Sequence, residues 1–99
     1  MISESAHRLI VAYDVSDDVR RTRLAKTLES FGDRIQYSVF VVDAKPAKLV
    51  RLRAALRRTI NTNADSVMIC DLGPLNGGTD KLEFIGQERP YTGTGPLIL

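Results

Sequence analysis

Arg8 to Asp14, RLIVAYD, is the stretch that most restricts what this chain can become. A near-continuous apolar run of this length predicts a strand buried on both faces. It ends on a carboxylate, Asp14, and is followed by Asp17 and Asp18 and then by Arg20, Arg21 and Arg23. Open α/β sheets place functional groups at such strand ends, where side chains meet solvent. A carboxylate there can hold a hard cation, and arginines beside it can hold phosphate. Asp14 can equally be an ordinary strand-ending or capping acid, and the stretch alone leaves both readings open.

The rest of the chain alternates strand and helix patterns. Ser16 is a good N-cap, and Asp17 and Asp18 suit the positive end of a helix dipole. Val19, Leu24, Leu28 and Phe31 recur at helical spacing, with Gly32 as a C′ residue closing the helix. Arg34 to Val42, RIQYSVFVV, predicts a second strand with one wholly apolar face. Pro46 opens a second helix at N1, running to about Asn61 with Leu49, Leu52, Leu56 and Ile60 as its buried stripe. Asp65 to Leu72 predicts a third strand, and Gly73 to Asp80 a flexible connection with a tight turn at Asn76-Gly77. Leu82 to Ile85 predicts a short fourth strand. Residues 87 to 95 read as loop, and Pro96 to Leu99 as a strand that buries itself on a sheet edge of its own chain or a partner's. Residues 1 to 7 read as a loose leader. The whole is one α/β domain of 99 residues.

Charge matters here through its placement. Fourteen Lys and Arg against 12 Asp and Glu give only +2, too mild to establish nucleic-acid binding. Arg20, Arg21 and Arg23, however, put positive charge in a first helical turn, where it opposes the dipole, so their position beside Asp14 points to phosphate. The second helix carries Lys45, Lys48, Arg51, Arg53, Arg57 and Arg58 and no acid, which favours an anionic partner surface over a solubilising face. The single cysteine, Cys70, excludes an internal disulfide, suits a reducing compartment and reads as a buried small hydrophobe. The single histidine, His7, reads as exposed and argues against a histidine triad or zinc site. No run approaches the ~20 apolar residues of a membrane span, and the start carries no secretory pattern, so a cytoplasmic protein is expected. Gly77-Gly78 lacks the spacing and lysine of a phosphate-binding loop.

AYDVSDDVRRTRLAKTLESFGDRIQYSVFVVDA, followed by a basic helix and DSVMICDLGP, resembles the small CRISPR-associated endonuclease of the spacer-acquisition module, the Cas-two family. The resemblance covers about residues 8 to 86. Its most specific parts are Tyr13-Asp14, the basic helix start and the Gln36-Tyr37-Ser38-Val39-Phe40 strand. It implies a ferredoxin-like α+β sandwich: a four-stranded sheet with two helices on one face, and a C-terminal strand packing on the partner of a homodimer. The ferredoxin order wants two strands between the helices, so one bent strand or two very short ones are expected in Arg34 to Val42. The family's acid falls on Asp14, its aromatic neighbour on Tyr13, its basic helix residues on Arg21 and Arg23, its strand-opening arginine on Arg34 and its motif-ending aromatic on Phe40. Val41 and Val42 replace the more usual acidic or glycine pair, which removes a second carboxylate from this strand.

The resemblance further implies hydrolysis of phosphodiester bonds in RNA or DNA with Mg2+ or another divalent cation. Asp14 of two copies would bracket a shared ion, and Arg21, Arg23 and Arg34 would anchor backbone phosphates. A rival reading is a non-catalytic dimer that grips duplex DNA through Arg51, Arg58 and their neighbours while the CRISPR integrase (Cas-one family) does the chemistry. An RNA-cleaving toxin of the related VapD type shares the fold and is a third reading.

Overall fold

The computed structural model describes residues 5–75 and 81–87. The element order is β1 (His7–Asp14), α1 (Asp18–Glu29), β2 (Asp33–Gln36), β3 (Val39–Ala44), α2 (Pro46–Thr59) and β4 (Ser66–Pro74). The four strands form one sheet in the order β2-β3-β1-β4, with every neighbouring pair antiparallel. This is the ferredoxin-like arrangement, in which the first strand lies inside the sheet between the last and the third.

Strand alternation divides β1 between two faces. Leu9, Val11 and Tyr13 point to the helices and are buried together with Leu24 and Leu28 of α1, Phe40 and Val42 of β3, and Leu52 and Leu56 of α2. Seven of the core side chains are almost wholly removed from solvent: Phe40, Leu9, Leu24, Leu28, Leu52, Val11 and Val42. Each contributes roughly 1.5–3 kcal/mol, so this layer outweighs the surface ion pairs, which typically supply at most about 1 kcal/mol apiece. Ile10, Ala12 and Asp14 point the other way, beside Val41 and Val39 of β3 and Cys70, Met68 and Ser66 of β4. Arg8 also lies on this face, where its guanidinium forms two hydrogen bonds to the carboxylate of Asp43, its cross-strand partner.

Several expectations are corrected. The residue pattern's single strand over Arg34 to Val42 gives way to two short strands that turn at Tyr37 and Ser38, the second of the two alternatives that the ferredoxin order left open. The N-cap of α1 is Asp17, whose carboxylate accepts from the Arg20 amide at 2.9 Å, and Ser16 lies one residue outside it. Val19 is exposed, and Ala25 takes its place in the buried stripe. Gly32 is not a left-handed C′ residue; its backbone passes so close to β3 that a Cβ would meet the Val41 carbonyl oxygen at 2.1 Å. β1 begins at His7, whose Nδ1 sits 2.9 Å from both carboxylate oxygens of Asp71. β4 runs on through Gly73 and Pro74, and the Leu75 amide donates to Ala6. Leu82 to Ile85 joins no ladder, and Ile85 is exposed. Cys70 is exposed, since β4 turns it to the face the helices do not cover. Most of the leader (1–4), the Asn76-Gly77 turn and the expected terminal strand 96–99 lie outside the described residues.

Candidate functional site

Asp14 closes β1 as an exposed residue opposite Ser66. Its neighbour Tyr13 turns inward, and its ring stacks on Phe40 with centroids 6.4 Å apart and planes at 29°. Phe40 is fully buried, so the core itself fixes the Tyr13 ring. The Tyr13 amide donates to the Ser38 carbonyl at 3.1 Å and its hydroxyl to the Tyr37 carbonyl at 3.4 Å. The β2–β3 turn is thereby tied twice to the residue next to Asp14.

Arg34 joins this cluster from β2. Its Nη2 donates to the Tyr13 hydroxyl at 3.4 Å, and its guanidinium carbon lies 5.2 Å from the Phe40 ring centroid and 6.0 Å from that of Tyr37. A cation within about 6 Å of a ring face is attracted by the ring quadrupole, and guanidinium stacks better than ammonium. Arg21 enters from the first turns of α1. It donates to the carbonyls of Val15 at 2.9 Å and Ser16 at 3.3 Å and pairs with Asp18. The hydrogen bond to Asp18 makes Arg21 hold its proton more tightly than usual. Two permanent positive charges are therefore held rigidly around the end of β1.

Tyr13, Arg34 and Phe40 form one cluster, Arg21 is anchored on the backbone just past β1, and Asp14 points to the opposite face of the sheet from Tyr13. Arg23 is exposed further along α1, while Arg51 and Arg58 are exposed on α2, seven residues apart and hence on one helical face. Arg53 and Arg57 lie elsewhere on α2, at a groove of about 250 Å³ whose lining includes Leu56, Ile60, Val67 and Ile69. Arg20 is not available for phosphate in the manner its position suggested. It forms a two-point ion pair with Asp65, Nε to Oδ2 at 2.7 Å and Nη2 to Oδ1 at 3.0 Å, and the Asp65 side chain has no exposed surface. That guanidinium, with the Asn61 amide as a second donor, holds the Asp65 carboxyl below its usual range. Among the described residues no group of three or more His, Cys, Asp or Glu side chains could hold a metal. Asp17 and Asp18 are occupied as cap and as partner of Arg21, so of the three acids at this strand end Asp14 is the one left for a cation.

The chain matches the family described as CRISPR associated protein Cas2 over residues 7–75. It belongs to the Cas2 family. The match spans all six elements, from the first residue of β1 to just past β4. A Cas2 relative from Geobacter sulfurreducens, named a CRISPR-associated endoribonuclease, is 36% identical over 82% of this chain and 85% of its own. One of the same name from Thermus thermophilus is 41% identical over 67% of this chain and 70% of its own. Among solved structures, a Thermus thermophilus hypothetical protein superposes with a TM-score of 0.74 at 32% identity, covering 88% of this chain and 99% of that one. A structure titled as Cas2 superposes with 0.71 at 28% identity, covering 96% and 98%. Against this Cas2 frame, the one member of the cluster that sequence reasoning left without a role is Tyr37. Strand alternation hid it, because it puts Tyr37 with Ile35, Val39 and Val41 on the wholly apolar face of that strand.

Proposed function

We propose that the protein is a metal-dependent endoribonuclease of CRISPR adaptation, working as a homodimer with Asp14 at its centre. The observation that carries this reading is the exposed Asp14 carboxylate at the end of β1, in a chain that anchors Arg21 on the Val15 and Ser16 carbonyls just beyond it and brings Arg34 to the hydroxyl of the adjoining Tyr13. Arg21 and Arg34 suit the nonbridging oxygens of a phosphodiester, because guanidinium matches that geometry and never loses its charge. Such contacts grip the backbone without reading sequence. The name endoribonuclease carried by the relatives supports RNA as substrate.

A divalent cation, Mg2+ by preference, fits a site with one carboxylate, because magnesium keeps several of its waters. When bound it would polarise a phosphoryl oxygen and activate water. Asp14 would hold it, Arg21 and Arg34 would orient the phosphate, and Arg23 would extend the contact along the strand. A second copy supplies the missing carboxylate. The sheet face that bears Asp14 also presents Met68, 59% exposed, and Cys70 beside Ile10 and Ala12, an apolar surface suited to a like sheet. The free cysteine suits a cytoplasmic setting, and no described helix is long and apolar enough to cross a membrane.

A second reading, a non-catalytic scaffold that presents duplex DNA to the CRISPR integrase, is favoured by the placement of Arg51 and Arg58 on α2, apart from the Asp14 site. Purified protein and Asp14→Asn, assayed on RNA and duplex DNA in Mg2+ or EDTA, separate the two. The nuclease reading expects Mg2+-dependent cleavage that vanishes in the variant while its fold and nucleic-acid affinity persist. Cleavage of equal rate in both proteins refutes it, and binding without cleavage in either supports the scaffold.

A further inference from the structure

Asp14 is the exposed last residue of β1, so its carboxylate goes where the backbone at that point goes. Two segments meet there: the start of β4, where Ser66 is the strand partner of Asp14, and the connection through Val15, Ser16 and Asp17 into α1. Arg20 reaches both. Its amide donates to Asp17 Oδ2 at 2.9 Å, and its Nη1 lies 3.8 Å from the same oxygen. Its Nε and Nη2 grip the two carboxylate oxygens of Asp65, the residue before Ser66, whose side chain is fully enclosed. Asp65 also closes its own loop, since its carboxylate accepts from the Asn61 amide and its amide donates to the Asn61 carbonyl, each at 2.8 Å. A buried ion pair is a weak source of stability, because desolvation offsets most of the attraction. What a two-point guanidinium–carboxylate pair supplies is fixed geometry. That accounts for a cation kept in the first turn of α1 against the helix dipole.

We propose that Arg20 and Asp65 are a positioning pair for Asp14. From the helix side of the sheet they hold the start of β4 against the β1–α1 connection, and that fixes where, on the opposite face, the Asp14 carboxylate is presented to a divalent cation. Neither residue is itself a ligand. This rests on the reading of Asp14 as the cation ligand and adds the side chains that hold it in register.

The test uses the full chain without nucleic acid, with Mn2+ as the probe and paramagnetic broadening of the Asp14 and Ser66 amide resonances as the readout. Wild-type protein should lose these signals as Mn2+ is added, and Asp14→Asn should keep them over the same range. Groups that hold a metal ligand in place without touching the metal are worth about 10–100-fold in affinity, so Arg20→Gln should raise the Mn2+ concentration for half-broadening about tenfold. Charge alone predicts the reverse, because removing a cation from this end of the sheet favours Mn2+. Arg20→Lys keeps the charge but not the two-point fit, and it should weaken Mn2+ as well; it carries the test if Arg20→Gln does not fold. Half-broadening at or below the wild-type concentration in the folded variants overturns the positioning role and leaves Asp14 as the ligand, even if their melting temperatures fall. Loss of fold in both variants assigns the pair to stability alone and overturns it too. Wild-type signals that do not broaden, or that broaden equally in Asp14→Asn, remove the cation reading and the pair's role with it.

Discussion

Gly32→Ala is the smallest substitution with a large expected effect. The added Cβ would lie 2.1 Å from the Val41 carbonyl oxygen, 2.8 Å from Val42 Cγ2 and 3.0 Å from the Val41 carbonyl carbon. Nonbonded heavy atoms attract at about 3.5 Å or more, so the shortest of these contacts, at 2.1 Å, must open by about 1.4 Å. The obstacle is backbone and cannot rotate away. Val41 is paired on one side with Ile10 of β1 and on the other with Asp33 of β2, so relief must move a strand held at both edges. Overpacking of this kind costs about 1–3 kcal/mol and sometimes more, and a backbone obstacle argues for the upper end. Against it stands a gain of about 0.4–1 kcal/mol from the stiffer unfolded chain. A net loss of about 2 kcal/mol lowers the melting temperature of a domain this size by roughly 8–16 °C. Thermal unfolding followed by circular dichroism, at one protein concentration so that any association is matched, measures it. A melting temperature at or above that of the wild type would refute the close-approach argument.

Reversing charge at Arg51 and Arg58 together should leave the melting temperature nearly unchanged but flatten the fall of nucleic-acid affinity with salt, since fewer counterions are released; an unaltered slope would make α2 a solvated face. Asp65 titrates below its ordinary 3.8 in the folded protein, first through Arg20 and then through the Asn61 amide. Its contribution to stability is therefore complete above that ordinary value and is lost as pH falls through the depressed one. Asp65→Asn should lower stability at neutral pH and narrow the gap to wild type under acid; parallel acid-unfolding curves would show that the ion pair contributes nothing.

The parts of this fold legible in the sequence are those set by local pattern. Leu9 to Tyr13 announces a strand wherever it is placed, and Leu52 and Leu56 can only face a core. Residue pattern alone did not split Arg34 to Val42, because its turn is Tyr37-Ser38, without the glycine, proline or asparagine that marks most turns; only the ferredoxin-like order left room for two short strands there. The α1 cap was displaced by one residue because Ser16 and Asp17 are both good caps, and the choice belongs to the chain's exit from β1. Cys70 was misjudged because β4 is apolar on both faces, and sequence does not say which face the helices cover. Of the site, Asp14 and its arginines were visible as an acid-then-base pattern at a strand end. The sorting of those arginines was not. Arg20 finds Asp65 45 residues away, and Arg34 finds Tyr13 and Phe40, pairings that exist only once the sheet has closed.

β1 has one more property, which follows from its length. His7 and Asp14 are its two end residues, and seven residue steps of an extended strand at about 3.3 Å each set them roughly 23 Å apart. The only imidazole in the chain is thus held at the far end of a rigid rod, occupied there with Asp71. Arg21 and Arg34, the cations proposed for the Asp14 site, keep their protons throughout the accessible range. His7→Asn should therefore leave unchanged the pH dependence of any hydrolysis measured at Asp14.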